Sequence, residues 1–296
     1  MKKRAIVVTG GLGFIGRNLI THLDKKIKNY IIIAFDKSKK NIKKLSTKSN
    51  NNQIIIVLSN TINIEKKLST YDIETLFHLG EFSRIVPSFK YIKECFLSNQ
   101  FGTFNVLKFC ANRKIKIIYS ASSSKFGNNG NDEHLSPYSW SKSKNIELIK
   151  NFHSWFGLNY EIVYFYNVYG KGHLNSGRLA AVIGIFEGQY LQNRPLTVVG
   201  DGTQSRDFTH VDDIVRGTYL AWKKNLNKEY MLGTGNIYSL KYIASLFNHK
   251  IKYIPSRPGE RLSSIKINHD AYKYLKYKPK IKIENYIKNF IKVNGK

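Results

Sequence analysis

The sequence predicts a doubly wound α/β fold, and three observations predict it. Apolar runs of strand length alternate with amphipathic stretches through the first half of the chain. The runs are apolar at nearly every position, and a glycine-rich turn follows the first of them. A strand apolar at every position is covered on both faces, as in a parallel sheet with helices on each side. The strands predicted in this way are Ala5–Val8, Tyr30–Phe35, Ile54–Leu58, Thr75–Leu79, Ile115–Tyr119 and Ile162–Phe165. Between them, Ile15–Lys26, Ser88–Asn112 and Tyr138–Phe156 have helical periodicity. The Lys-, Asn- and Ser-rich stretch Lys37–Asn52 reads as a solvated surface loop or a frayed helix.

Past Gly170 the alternation loosens. A helix-like Leu179–Leu191, a turn at Gly200–Arg206, a helix-like Val211–Lys223 and a loop at Pro255–Glu260 follow. Asp270–Lys296 reads as two short basic helices around Pro279. There is no internal repeat and no low-complexity linker.

Composition bounds the class. The chain has 296 residues, 42% of them hydrophobic and 13% aromatic, which is ample for a large core and excludes a disordered chain. No run approaches the ~18 apolar residues of a membrane span. The apolar run after Met1-Lys2-Lys3-Arg4 is too short for a signal peptide, so a cytoplasmic location is expected. Cys95 and Cys110 fall in one predicted helix, about 22 Å apart at 1.5 Å per residue. They cannot pair there and are expected as small buried hydrophobes. The net charge is +28, from 48 Lys+Arg against 20 Asp+Glu. Nucleic acid, an anionic small substrate or a biased base composition could each account for it. The lysines are scattered and Asn and Ile are abundant beside them, which favours composition bias, with an anionic substrate as a secondary contributor.

Thr9-Gly10-Gly11-Leu12-Gly13-Phe14-Ile15-Gly16 joins the first strand to the first helix. Glycine serves three needs here: a tight turn, close approach of backbone to a pyrophosphate, and close helix–strand packing. The helix N-terminus adds N–H donors and positive dipole for the phosphates. Asp36 stands 20 residues after Gly16, at the end of the second strand, where an acid binds adenosine ribose hydroxyls. An acid there disfavours a 2′-phosphate, so the expected cofactor is NAD. No metal site is expected.

Four segments carry a family resemblance: Thr9–Gly16, Tyr138-Ser-Trp-Ser-Lys142, Tyr166-Asn167-Val-Tyr-Gly170, and Gly200 to Asp213 with Arg206 inside it. Together, and in order from Ala5 to about Pro279, they resemble the NAD-dependent epimerase/dehydratase family of extended short-chain dehydrogenases, and within it UDP-sugar 4-epimerases. The resemblance implies a Rossmann-like domain (1–167 and 206–235) and a smaller, discontinuous nucleotide-sugar-binding domain (168–205 and 236–296). It also implies a homodimer built on the helices Ser88–Asn112 and Tyr138–Phe156.

Tyr138 and Lys142 are i and i+4 on one predicted helix and share a face. A neighbouring ammonium favours a phenolate, which makes such a tyrosine a usable base. By resemblance these two are catalytic, with a third hydroxyl after the fifth strand. Aligned on Phe126-Gly127 that hydroxyl is Ser122, and Ser124 competes for the place. The resemblance places Gly10, Gly13, Phe14, Ile15, Gly16, Asp36, Asn60, Leu79, Gly80, Asn99, Tyr138 and Lys142 at the cofactor. It places Ser122, Ser124, Asn167, Arg206, Arg257 and Ser264 at the substrate. Arginine suits a diphosphate because its planar fork pairs with two oxygens. Ser264 is small and leaves room for an N-acetyl group, so UDP-N-acetylhexosamine stands beside UDP-glucose/galactose.

Three departures from the family pattern stand out. Tyr164 replaces a common arginine, Gly80-Glu81 replaces Ala-Ala or Ala-Gly, and the segment from Ser122 to Tyr138 is short. The dehydratase branch has Asp-Glu directly after its catalytic threonine, where this chain has Ser123-Ser124, so dehydration ranks low. The expected reaction is C4 epimerisation through a 4-keto sugar. A 4-reductase or dehydrogenase would share nearly every motif. A non-catalytic RNA- or protein-binding member is the alternative from another class, but no aromatic–basic RNA motif is present, so nucleic acid is not an expected partner.

Overall fold

The computed structural model describes residues 3–126, 132–256, 259 and 269–295. Strand β1 (Ala5–Thr9) leads through the glycine turn into helix α1 (Phe14–Lys26). Then come β2 (Ile31–Asp36), β3 (Gln53–Leu58), α2 (Ile64–Leu68) and β4 (Ile73–His78). Helices α3 (Ile85–Lys90), α4 (Ile92–Phe96) and α5 (Gly102–Asn112) precede β5 (Lys116–Ser122), α6 (Pro137–Phe156), β6 (Tyr160–Phe165) and β7 (Asn167–Tyr169). The remainder is α7 (Val182–Leu191), β8 (Leu196–Val199), β9 (Ser205–His210), α8 (Val211–Trp222) and β10 (Glu229–Met231). It ends with β11 (Ile237–Ser239), α9 (Leu240–Ser245), β12 (Ile251–Ile254), α10 (Asp270–Leu275) and α11 (Ile283–Asn294).

Seven strands form one parallel sheet in the order β10-β6-β5-β4-β1-β2-β3. The order reverses beside β1 and β4, and such a reversal opens a crevice at the C-terminal strand ends. One layer of core packs α2, α5 and α6 on one face, with Val106, Phe109, Ile146 and Ile149 against Tyr119 and Ile117. The other packs α1 and α8, with Leu19, Leu23, Ile214 and Trp222 against Ile6, Ile32 and Phe77. The doubly wound expectation is met, and each predicted strand is present within a few residues of its expected bounds. A third cluster, with Phe186, Val198, Phe208 and Phe247, holds a three-stranded sheet β11-β9-β7 and a pair β12-β8 to the C-terminal helices.

One expectation needs correction and another gains detail. Ser88–Asn112 is not one helix. It breaks at Tyr91 (φ −113°, ψ 43°) and passes through a π-turn at Leu97–Phe101. The break lets Ser88 and Asn99 both face α6. Lys37–Asn52 is a mostly exposed loop with one short helical turn at Ile42–Lys44, as expected, but it is anchored. Asp24 accepts from Ser49 Oγ (2.5 Å) and from Asn52 Nδ2 (2.9 Å), and Leu45 enters the core, so the segment is pinned at its end and its middle.

Candidate active site

The glycine turn is built so that no other residue fits. Gly10 has φ +67°, and a Cβ there would lie 2.9 Å from the Leu79 carbonyl oxygen. A Cβ on Gly16 would lie 2.1 Å from the Gly10 carbonyl oxygen. Gly80 is held in the same way, with 2.8 Å from its would-be Cβ to the Gly10 nitrogen, which explains glycine in place of the family's alanine. Helix α1 starts at Gly13 with no side-chain cap and no acid in its first turn. The first-turn amides of Phe14, Ile15 and Gly16 therefore form an anion-binding helix end. Asp36 pins the turn by accepting from Leu12 N (3.0 Å) and Ser38 N (2.9 Å). These residues fit a dinucleotide pyrophosphate and ribose.

Helix α6 carries the reactive pair. Ser136 caps it by accepting from Ser139 N (3.0 Å), Pro137 opens it, and Gly157 closes it at φ 67°. Tyr138 is half-buried, and its backbone N–H donates to Ser88 Oγ (3.3 Å), tying α6 to α3. Lys142 is buried one turn on. Its ammonium donates to Ser120 O at the end of β5 and to Glu81, and lies 4.6 Å from the centre of the Tyr119 ring. Arg84 faces the Tyr138 phenol while donating to Leu179 O (2.6 and 2.9 Å). Burial pushes its guanidinium down, and the phenol offsets part of that.

The two candidate serines differ. Ser122 ends β5, and its Oγ accepts from Ser124 N (3.2 Å). Ser124 is buried, and its Oγ has no hydrogen-bond partner among the described residues. Asn167 opens β7 and donates to Asp207 O (3.2 Å) on the adjacent β9, where Arg206 also sits, buried and donating to Ser205 O (2.8 Å). Arg257 and Ser264 lie outside the described residues. Asn60 caps the turn after β3 by accepting from Ile62 N (3.1 Å). Asn99 is fully buried. Its amide hydrogens go to Phe82 O (3.2 Å) and Ser141 Oγ (3.0 Å), and its oxygen accepts from Phe82 N (2.7 Å). With both donors spent, it braces the loop after β4 against α6.

Glu81 had been visible only as a departure from the family pattern. Its side chain is 2% exposed and ion-paired to Lys142. Its other oxygen accepts from Thr103 Oγ1 (2.8 Å), Asn145 Nδ2 (2.8 Å) and the Tyr119 hydroxyl (3.2 Å). Thr103 gives its single proton to Glu81, so it accepts from His78 Nε2 (3.0 Å), and His78 Nδ1 then accepts from Thr9 Oγ1 (2.7 Å). Thr9 in turn accepts from Leu79 N (3.1 Å) and Gly80 N (2.9 Å). A chain of hydrogen bonds thus runs from the glycine turn to Lys142. Burial lowers the His78 pKa to about 4, Glu81 offsetting part of this and Lys142 adding to it, which fits its neutral imidazole. Burial and then Glu81 push the Tyr119 phenol well up. Thr103, Tyr119 and Asn145 carried no sequence signal for this role, because only the fold brings them to Glu81.

Tyr164, the other departure, donates to Glu229, which also pairs with Lys150, and its ring lies 4.7 Å from that of Phe126. It braces β6 against β10 and the segment after β5. Among the described residues no helix is long and apolar enough to cross a membrane, and no cluster of three or more metal-ligating side chains occurs.

Comparison with known proteins gives a consistent picture. UDP-glucose 4-epimerase of Thermotoga maritima, solved with UDP-glucose, is 25% identical with a TM-score of 0.89, covering 97% of each chain. UDP-N-acetylglucosamine 4-epimerase of Methanobrevibacter ruminantium M1, solved with UDP-N-acetylmuramic acid, is 26% identical with a TM-score of 0.86, covering 99% of this chain and 98% of that one. UDP-glucuronic acid 4-epimerase of Bacillus cereus, solved with UDP-glucuronic acid and NAD, is 26% identical with a TM-score of 0.84, covering 98% and 99%. The model of the NAD dependent epimerase/dehydratase family matches residues 6–233. With its parallel sheet, its glycine turn and its Tyr138–Lys142 helix, this chain belongs to that family.

Proposed function

We propose that the chain is a nucleotide-sugar 4-epimerase using NAD, with Tyr138, Lys142 and Ser122 as its catalytic residues. The observation that carries this is the placement of α6. It brings Lys142 to the end of β5, where it donates to Ser120 O two residues before Ser122, with Tyr138 one turn earlier on the same helix. The glycine turn opens at the end of β1, two strands away. Tyr138 takes the proton from the sugar C4 hydroxyl and later returns it. Ser122 holds that hydroxyl, and Lys142 favours the phenolate through the one N–H that Glu81 and Ser120 O leave to it. When bound, NAD supplies a hydride acceptor that gives the hydride back, so no net oxidation occurs. Gly10, Gly13, Phe14, Ile15 and Gly16 hold its pyrophosphate, Asp36 its adenosine ribose and Asn60 its adenine, while Leu79, Gly80 and Asn99 shape the nicotinamide side.

Asn167 and Arg206 receive the diphosphate of the substrate, and Arg257 is the further candidate. Units 1–167 with 206–235, and 168–205 with 236–296, take cofactor and sugar respectively. The substrate class is a UDP-hexose, with the sugar as the open variable: the three related structures hold glucose, glucuronic acid and N-acetylmuramic acid derivatives. Ser123 and Ser124, both buried, stand where dehydration would need two acids. Exposed Phe101, Phe104, Trp155 and Phe156 on α5, α6 and the turn before α5 support a homodimer through these helices.

The test is turnover of UDP-glucose, UDP-N-acetylglucosamine and UDP-glucuronic acid by wild type and by Tyr138→Phe. Loss of the base lowers kcat by about a thousandfold on the sugar that is used. A Tyr138→Phe variant at wild-type rate sinks the mechanism. Net accumulation of NADH identifies a dehydrogenase instead.

A further inference from the structure

Resting on the reading above, we propose that Glu81 makes the Lys142 corner of the site electrically neutral and so favours the oxidised dinucleotide over the reduced one. Glu81 is a positioning residue, because it acts through Lys142.

The two forms of the dinucleotide differ by one positive charge on the nicotinamide ring. A lone buried ammonium beside that ring repels the oxidised form and leaves the reduced form unaffected. At effective dielectric ~20 such a charge a few residues' width away changes an affinity by about tenfold or more. Here the ammonium does not stand alone. Glu81 is in contact with it, and both side chains are almost wholly buried, at 2% and 7% exposure, so water does little to screen the pair. The carboxylate is fully engaged: Lys142 holds one oxygen, and Thr103, Asn145 and Tyr119 hold the other. Four partners from three elements, α5, β5 and α6, fix its position. Of the three N–H donors on Lys142, two go to Glu81 and Ser120 O, which leaves one for a ligand.

Of the other titratable groups facing this corner, His78, Tyr119 and Cys95 bring no charge, and Arg84 brings a positive one that Glu81→Gln and Glu81→Asp both leave in place. His78 is buried and neutral, and Tyr119 is a phenol. The Cys95 thiol is pushed up to about 11 by burial. Arg84 is the other cation and faces the Tyr138 phenol. Glu81 follows directly on Gly80, whose backbone packs against the glycine turn, so the carboxylate sits at the cofactor side of the sheet.

The bias has a chemical use. An epimerase takes a hydride from C4 with the hydroxyl proton going to Tyr138, forming a ketone, and then returns both. If the ketone escapes, the dinucleotide stays reduced and the enzyme stops. A site that favours the oxidised form resists that outcome.

The test is the ratio of dissociation constants for NADH and NAD in the nucleotide-stripped chain, read by calorimetric titration, with no turnover required. Glu81→Gln keeps the acceptor for Lys142 and removes the charge. The expected result is a loss of preference for the oxidised form by about tenfold. Glu81→Asp keeps the charge and is expected to stay close to wild type. A purely structural role would weaken both affinities together and leave the ratio unchanged, and that result overturns the proposal. A wild type that prefers NADH overturns it without any variant. Because the ratio does not depend on Tyr138, failure of the epimerase reading and failure of this one are separable.

Discussion

His78 shows how much of this site is set by one buried side chain. It joins Thr9 to Thr103 inside the sheet, and burial holds its pKa near about 4. The folded state therefore refuses a proton that the unfolded chain accepts below about pH 6.5. The sign follows: stability is fully present above that pH and is lost as pH falls toward 4, by about 3 kcal/mol in all. Urea unfolding across this range is expected to show the loss. His78→Gln is expected to be less stable at neutral pH but to lose a smaller amount on acidification, and an equal loss would rule His78 out as its source. His78 and Glu81 also mark what a sequence conceals. Asp36, the glycines, Tyr138 and Lys142 were legible because each falls at a fixed spacing from a strand or from another residue. Glu81 stood in plain view as an unusual acid, but its partners lie 22, 38, 61 and 64 positions away and carry no local pattern.

Helix α6 is the element on which the proposed chemistry depends, and its start is the weak point. Only Pro137 separates the cap, Ser136, from Tyr138, so fraying of the first turn would move the phenol directly. Ser136→Ala is expected to cost about 1 kcal/mol of stability. It is also expected to lower kcat more than it raises KM, because Tyr138 loses position while Asn167 and Arg206 on β7 and β9, the proposed diphosphate contacts, stay in place. Denaturant unfolding paired with steady-state kinetics checks both, and an unchanged kcat would show that Ser88 alone holds the turn through Tyr138 N. The bounds of α6 were legible from helical periodicity over Tyr138–Phe156, and the structure adds the Ser136 cap, Pro137 and the Gly157 stop that fix them. The break at Tyr91 was not legible, because apolar periodicity runs across it. What decides the break is that Ser88 and Asn99 both reach α6, a tertiary constraint that local pattern does not encode.

At the scale of the molecule the open feature is charge. Lysines spread over nearly every segment give +28, yet few are paired: the described ion pairs involve Lys37, Lys116, Lys142, Lys144 and Lys150. A folded chain concentrates this charge and an unfolded one disperses it, so repulsion works against the fold. Raising ionic strength shortens the screening length from ~30 Å at 0.01 M to ~8 Å at 0.15 M, which weakens repulsion between exposed lysines. The melting temperature is therefore expected to rise with added sodium chloride over this range, by several degrees, since about 1 kcal/mol corresponds to ~2–4 °C in a chain of this size. A competing account would give the charge a polyanion to bind. The two accounts separate in the same experiment, because a polyanion partner such as heparin would stabilise the chain at low salt and lose its effect as salt rises. If sodium chloride alone reproduces the whole gain, scattered repulsion is sufficient and the charge needs no partner. If heparin exceeds it at matched ionic strength, the lysines form a surface with a ligand of its own.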